Sequence, residues 1–261
     1  MARHPLARFA PLALAAALSV VFAAARPARA QEVVRAYGPG GPAPAMKEAA
    51  EAFGKARGAR VEVTAGPTDR WLAQARADAD VVYSGAEYMM TDLVRAMEGR
   101  IAEDTIDTLY LRPSAILVRP GNPRRISDLP DLLKPGVKVL VVQGAGQTGM
   151  WEDMAGREGD VRMVRALRRN IVEHAPNTAA AREHWIQHPE VDAWIVYNIW
   201  QVANPGIAEL VPVSEKFVIY RSSGVALTRT GADRPLARDF ADFLRSKDGA
   251  AIFRKWGWLA P

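Results

Sequence analysis

The chain contains no cysteine, which excludes disulfides, thiolate metal sites and a cysteine nucleophile. Histidine is scarce as well: His4, His174, His184 and His188 are the only four. His184 and His188 stand four residues apart, a spacing that can hold a metal on a helix. The acid of a metalloprotease and a clear third ligand are missing, so the pair reads as a solvated helix face. No serine sits in a G-x-S-x-G elbow, so no nucleophile stands out. After residue 30 there is no run of 18 apolar residues, and no membrane span is expected there. A strong excess of one charge is also lacking. The formal net charge is +5, but Arg3, Arg8, Arg26 and Arg29 fall in the first 30 residues, where there is no acid. The remainder holds 30 basic against 29 acidic residues. That balance gives no support to nucleic-acid binding by bulk charge.

What is present is ordinary globular composition. The 261 residues are 49% hydrophobic and 24% charged, enough to bury a core in one large domain or two small lobes. The N-terminus has the parts of an export signal. Arg3 and Arg8 form a basic region, Phe9 to Ala25 is apolar, and Ala28-Arg29-Ala30 is a small-residue cleavage site before Gln31. The rival reading is a retained anchor, for which this alanine-rich stretch is marginally short. The expectation is a periplasmic protein cleaved after Ala30, a compartment that the lack of cysteine fits.

Along the remaining chain, strands and helices alternate. Val33–Tyr37, Arg60–Thr64 and Ala79–Tyr83 have strand character, and helices are expected over Ala43–Arg57, from Thr68 or Asp69 to Gln74, and over 87–97. Leu109–Val118 is a long extended run. A second series follows: strands at Val137–Gln143, Ile171–Ala175 and Val191–Tyr197, with helices from Met150, from Ala179 to Gln187 and from Asn198. Phe217–Leu227 is a second long extended run, and helices at 235–246 and 248–256 close the chain. The fold class is α/β, with parallel sheets flanked by helices.

Each strand ends in a loop of small and polar residues that feeds a helix N-terminus. These loops are Gly38-Pro39-Gly40-Gly41-Pro42, Gly66-Pro67-Thr68, Ser84-Gly85, Gly144-Ala145-Gly146-Gln147-Thr148-Gly149, Pro176-Asn177-Thr178, and Tyr197-Asn198. In open parallel sheets such ends line one edge, where ligands bind. Free N–H groups and the helix dipole make that edge suited to an anion. Any one loop is explained by turn chemistry; the first five, in register, point to a shared site, and Tyr197-Asn198 follows the last strand of the series. Gly144-x-Gly146-x-x-Gly149 matches the dinucleotide fingerprint formally. It lacks the acid about 20 residues on, and no Walker lysine is present, so an N–H nest for a smaller anion fits better. No cofactor and no metal are expected. Trp194, Trp200, Trp256 and Trp258 sit in apolar contexts and read as core. Trp71 and Trp151 follow binding loops, and Arg112 and Arg221 lie in the two long extended runs; for these four, packing or solvation and ligand contact both stay open.

Several of these stretches resemble accessory colonization factor C-type proteins. They include Tyr37–Ala45, Thr64–Thr68, Tyr83–Asp92, Leu111–Pro123, Val141–Gly149 and Asn198–Pro205, and the likeness runs through residues 33–258. Those proteins look like periplasmic solute-binding proteins of the sulfate/molybdate type. The resemblance implies the type II periplasmic binding-protein fold: two parallel-sheet lobes joined by two crossover strands, with a ligand cleft between them and a partner ABC permease. The lobes are expected at 31–115 with 222–261, and at 116–221. By the order of donor loops in molybdate binders, the site falls at Gly40-Gly41, Gly66-Pro67-Thr68, Gly146-Gln147-Thr148, Asn177-Thr178 and Tyr197. Gly and Pro replace serine in the first two loops. With Ser84 and Arg221 these residues form the expected ligand set. The expected function is non-enzymatic: a monomer closing around a small anion, foremost a sulfate-like tetrahedral oxyanion. A citrate-like carboxylate is the alternative, favoured if Arg112 or Arg221 reaches the cleft. Two rivals are a secreted enzyme, for which only Asp69, Glu87 and Asp92 offer acids near the loops, and a sensory component presenting the loaded protein to a receptor.

Overall fold

The structure is a computed structural model, which describes Met1, residues 32–144 and residues 146–261. The expected export signal, its cleavage after Ala30, and Ala145 of the glycine loop lie outside the described residues. The first series is β1 (Val33–Gly38), α1 (Ala43–Arg57), β2 (Arg60–Ala65), α2 (Thr68–Asp78), β3 (Val81–Tyr83) and α3 (Glu87–Ala96). Proline in the first turn starts α1 where no N–H partner is needed. Gly58 ends it at φ 62°, donating its N–H to the Gly54 carbonyl. The face expected from the spacing, Met46, Ala49, Ala50 and Phe53, is buried. Helix α2 runs four residues past Gln74, because Ala75, Arg76 and Ala77 continue a strongly helix-forming stretch.

The long strand β4 (Asp107–Val118) leads to β5 (Val139–Val142), α4 (Met150–Gly156), α5 (Val161–Asn170), β6 (Ile171–Ala175), α6 (Thr178–Gln187), β7 (Ala193–Tyr197) and α7 (Ile199–Ala203). The helix expected from Met150 is two helices. Gly159 turns at φ 71°, and the Asp160 carboxylate caps the second by accepting the Arg162 N–H. The chain ends with β8 (Glu209–Pro212), β9 (Tyr220–Leu227), α8 (Arg229–Ala232), α9 (Pro235–Arg245) and α10 (Lys247–Lys255). Neither β8 nor α8 is expected from the sequence: both are four residues long and too short to show a period.

The strands form a sheet in the order β2-β1-β3-β9-β4-β7-β5-β6, with β8 beside β4. The runs β2-β1-β3 and β7-β5-β6 are parallel, and β4 and β9 pair antiparallel with their neighbours. Strand β4 changes partner along its length. Asp107–Pro113 pairs with β9, and Ser114–Val118 pairs with β7. Helices α9 and α10 return to α1, where Phe53 meets Phe240 and Phe243 at ring separations of 5.3 and 5.6 Å. At the edge of β1 and β3, buried Asp80 accepts the Arg35 N–H at 2.8 Å and both carboxylate oxygens take the Arg234 guanidinium at 2.7 Å.

Candidate functional site

The loops after the parallel strands β1, β2 and β6 meet at one cleft of about 350 Å³. Gly40, Gly41, Gly66, Pro67, Thr68, Asn177 and Thr178, all expected in the site, line it together with Asp69 and Trp200. Apart from Trp200 on α7, these residues come from the N-terminal ends of α1, α2 and α6. No side chain caps α1 or α2. The Ala43 N–H meets the Gly40 carbonyl, Pro44 has no N–H and the Arg70 N–H meets the Pro67 carbonyl, so among the described residues the Thr68 and Asp69 N–H groups of α2 are left for another acceptor. At α6 the Asn177 side-chain oxygen Oδ1 is already committed, accepting the Ala180 N–H at 2.9 Å.

Beneath the glycines lies Arg112 of β4. The side chain is 1% exposed. Nη2 donates to the Gly85 carbonyl at 2.5 Å, and buried Nε finds no acceptor among the described residues. The guanidinium carbon stands 3.9 Å from the Tyr197 ring centre and 5.2 Å from that of Trp258. These faces attract the cation without neutralising it. Among the described residues no carboxylate pairs with it; the groups acting on its charge are Tyr197 and Tyr88. Burial pushes its pKa down to about 10, so it stays a cation at neutral pH.

Three loops close on this one group. A Cβ at Gly41 would stand 2.8 Å from Nη1, at Gly85 2.9 Å from Nη2, and at Gly146 2.8 Å from Nη2. Any larger residue at these positions would displace the guanidinium. Gly146 is doubly constrained, because its φ of +85° is a backbone that glycine adopts without strain. Tyr197 Oη donates to the Gly146 carbonyl at 2.9 Å; burial pushes this phenol up to about 12, against the opposing charges of Arg112 and Arg221. Gln147 is buried, with Nε2 3.4 Å from Thr178 Oγ1. Thr148 is exposed, and its N–H donates at 3.2 Å to the hydroxyl of Tyr88, on α3.

Not every expected residue reaches the cleft: Gly146, Gln147, Thr148 and Tyr197 are not among the residues that line it, and Gln147 and Tyr197 are buried behind it. The Ser84 hydroxyl is turned into the sheet, where it accepts the Gly224 N–H at 3.2 Å. Arg221, cross-strand partner of Arg112, is spent on Asp153 of α4 at 2.6 Å. Trp71 and Trp151 belong to the core: Trp71 packs on Tyr37 at 6.1 Å and donates to the Gly66 carbonyl, and Trp151 meets the edge of His174. Trp200, expected in the core, is half-buried and walls the cleft. Gly85 and Arg112 are the site residues that strand-end reasoning left out or undecided. The signal for Arg112 is its place in a run of otherwise apolar and small residues, Pro113 to Val118 following directly.

A family profile for bacterial extracellular solute-binding proteins matches residues 34–259. Among curated protein sequences none matches the chain significantly. L-phospholactate-bound PEB3 is similar in structure, with TM-score 0.82 and 34% identity over 87% of this chain and 100% of that one. Peb3 from Campylobacter jejuni matches at 33% identity and TM-score 0.81, over the same shares. The sulfate-binding protein SubI from Mycobacterium tuberculosis shares the fold at 18% identity and TM-score 0.72, over 87% of this chain and 86% of that one. The sheet with its two parallel runs, the helix N-termini at one cleft and the matched span agree: the chain belongs to the bacterial extracellular solute-binding proteins, with the type II periplasmic binding-protein fold.

Proposed function

We propose that this protein binds a small anion in the periplasm, without transforming it, and delivers it to an inner-membrane ABC permease. One observation carries the reading: a buried guanidinium with no carboxylate partner among the described residues, ringed by three glycines, of which Gly41 lines the cleft. A buried arginine in a folded protein is normally paired. Here the missing counter-charge is the ligand's. The residues expected at 31–115 with 222–261 and at 116–221 would act as two lobes hinged at β4 and β9. Closure brings the loops after β1 and β3 onto those after β5 and β6. The loaded form acts as a monomer.

Arg112 shifts the expected ligand. A tetrahedral dianion of the sulfate type could be held by helix N-termini alone. A guanidinium in a dry site suits a carboxylate or phosphoryl group, which it meets with two parallel hydrogen bonds. PEB3, at 34% identity, binds L-phospholactate, which carries both groups. The reading favoured is therefore a small carboxylate or phosphoryl anion, with a sulfate-like oxyanion second. Calorimetry and thermal unfolding with L-phospholactate, citrate, sulfate and molybdate test it. A ligand at 100 times its Kd adds about 2.7 kcal/mol of stability. Failure of all four to bind would exclude the reading.

A further inference from the structure

Resting on the anion reading, we infer that the ligand also carries a hydrogen-bond donor, a hydroxyl or the acid proton of a phosphoryl group, and that Gln147 Oε1 receives it. Two cleft-lining residues each touch one buried polar side chain below. Gly41 packs against the Arg112 guanidinium, and Thr178 Oγ1 stands 3.4 Å from Gln147 Nε2. Gln147 is also the residue after Gly146, the third glycine on Arg112. The guanidinium thus lies against cleft-lining Gly41 and the amide against cleft-lining Thr178, each one residue behind the cleft wall.

The amide carbonyl is the unusual member. Gln147 is 1% exposed, and among the described residues Oε1 receives no hydrogen bond. Its backbone is already committed: the N–H donates to the Gly144 carbonyl, and its carbonyl accepts from Met150 as α4 begins. The surrounding groups, uncapped helix N-termini and Arg112, are donors suited to the anionic end. An acceptor placed among them repels a ligand made only of acceptors. Buried acceptors left unpaired are costly, so a ligand that supplies a donor is selected over one that does not. Arg112 anchors the charge, and Gln147 reads the proton beside it. The ligand class is a hydroxy acid or a protonated oxyanion rather than fully ionised sulfate.

Matched pairs differing by one hydroxyl test this: L-lactate with propionate, L-malate with succinate, and hydrogen phosphate with sulfate, each measured by calorimetry on the wild-type protein. The hydroxylated member of a binding pair is expected to win about tenfold or more. In Gln147→Met, which keeps the volume, that ratio falls to near one. Equal affinities in wild type overturn the inference and leave the anion reading standing. Preference for succinate or sulfate also overturns it, since the amide then presents Nε2. If none of the six binds, and L-phospholactate, citrate and molybdate fail too, the anion reading falls and this inference with it. The wild-type pairs decide the matter even if the variant does not fold.

Discussion

Arg112 and Arg234 are both drawn out of water, and they meet opposite surroundings. Arg234 reaches the edge of β1 and β3. Its Nη1 holds both oxygens of the Asp80 carboxylate at 2.7 Å, and Nη2 donates to the Val33 carbonyl and to Glu32. Burial lowers its pKa, but the Asp80 and Glu32 pairings outweigh that and leave it raised. Arg112 has one carbonyl, two aromatic faces and no acid among the described residues, and its pKa is lowered. The first arginine completes its charge inside the fold and serves stability. The second leaves its charge open, which in the proposed function is the ligand's to complete. Buried charge alone does not mark a site; the missing partner does.

That contrast breaks first at Arg112 itself. Arg112→Met is expected to cost anion binding about 4 kcal/mol, on the order of a thousandfold. It should leave the unfolding midpoint equal or higher, since an unpaired buried charge is removed. Calorimetry with thermal unfolding checks both; retained affinity would make Arg112 a packing residue. Asp80→Asn should do the reverse. It leaves Arg234 without its counter-ion and costs about 3 kcal/mol of stability, the low end for a buried pair because the Arg234 side chain is 28% exposed. Ligand affinity should not change. Urea unfolding measures the loss, and a stability change under 1 kcal/mol, the scale of a surface pair, would put the two arginines in one class.

Smaller effects sharpen the comparison. Gly146→Ala forces a Cβ onto the Arg112 guanidinium at a backbone angle that costs a non-glycine residue about 1–2 kcal/mol. Affinity is expected to fall about tenfold, and an unchanged Kd would mean the guanidinium position is irrelevant. Arg221→Gln removes a half-exposed ion pair with Asp153 and should alter binding by less than about 1 kcal/mol. A loss as large as that of Arg112→Met would move the ligand's counter-charge from one strand of the pair to the other.

Much of this was legible before any coordinates. Pro42, Pro44 and Gly58 bracket α1, and its observed bounds match the spacing of Met46, Ala49, Ala50 and Phe53. Glycine and proline at strand ends located the loops that line the cleft, because the backbone chemistry that ends a strand is local. The state of a charged residue is not local. Arg112 stands in an extended run as Arg221 does, and nothing within five residues of either says that one is ringed by glycines at 41, 85 and 146 and the other bound to Asp153. Ser84 looked like a donor for the same reason: its partner, the Gly224 N–H, is 140 residues away. Trp71 and Trp151 could not be placed because a tryptophan after a binding loop can turn inward or outward, and both turn inward.

The placement of Trp200 gives the molecule an optical property. It is half-buried on the cleft wall, 6.2 Å from Trp194, which lies 6.2 Å from Trp185 in the interior. Trp194 and Trp185 are shielded from solvent. An indole at the mouth is thus coupled to two dry ones behind it, so the emission spectrum of the unlabelled protein should respond when the cleft loses water. The protein carries its own fluorophore for following occupancy in real time, without a dye and without a cysteine to attach one.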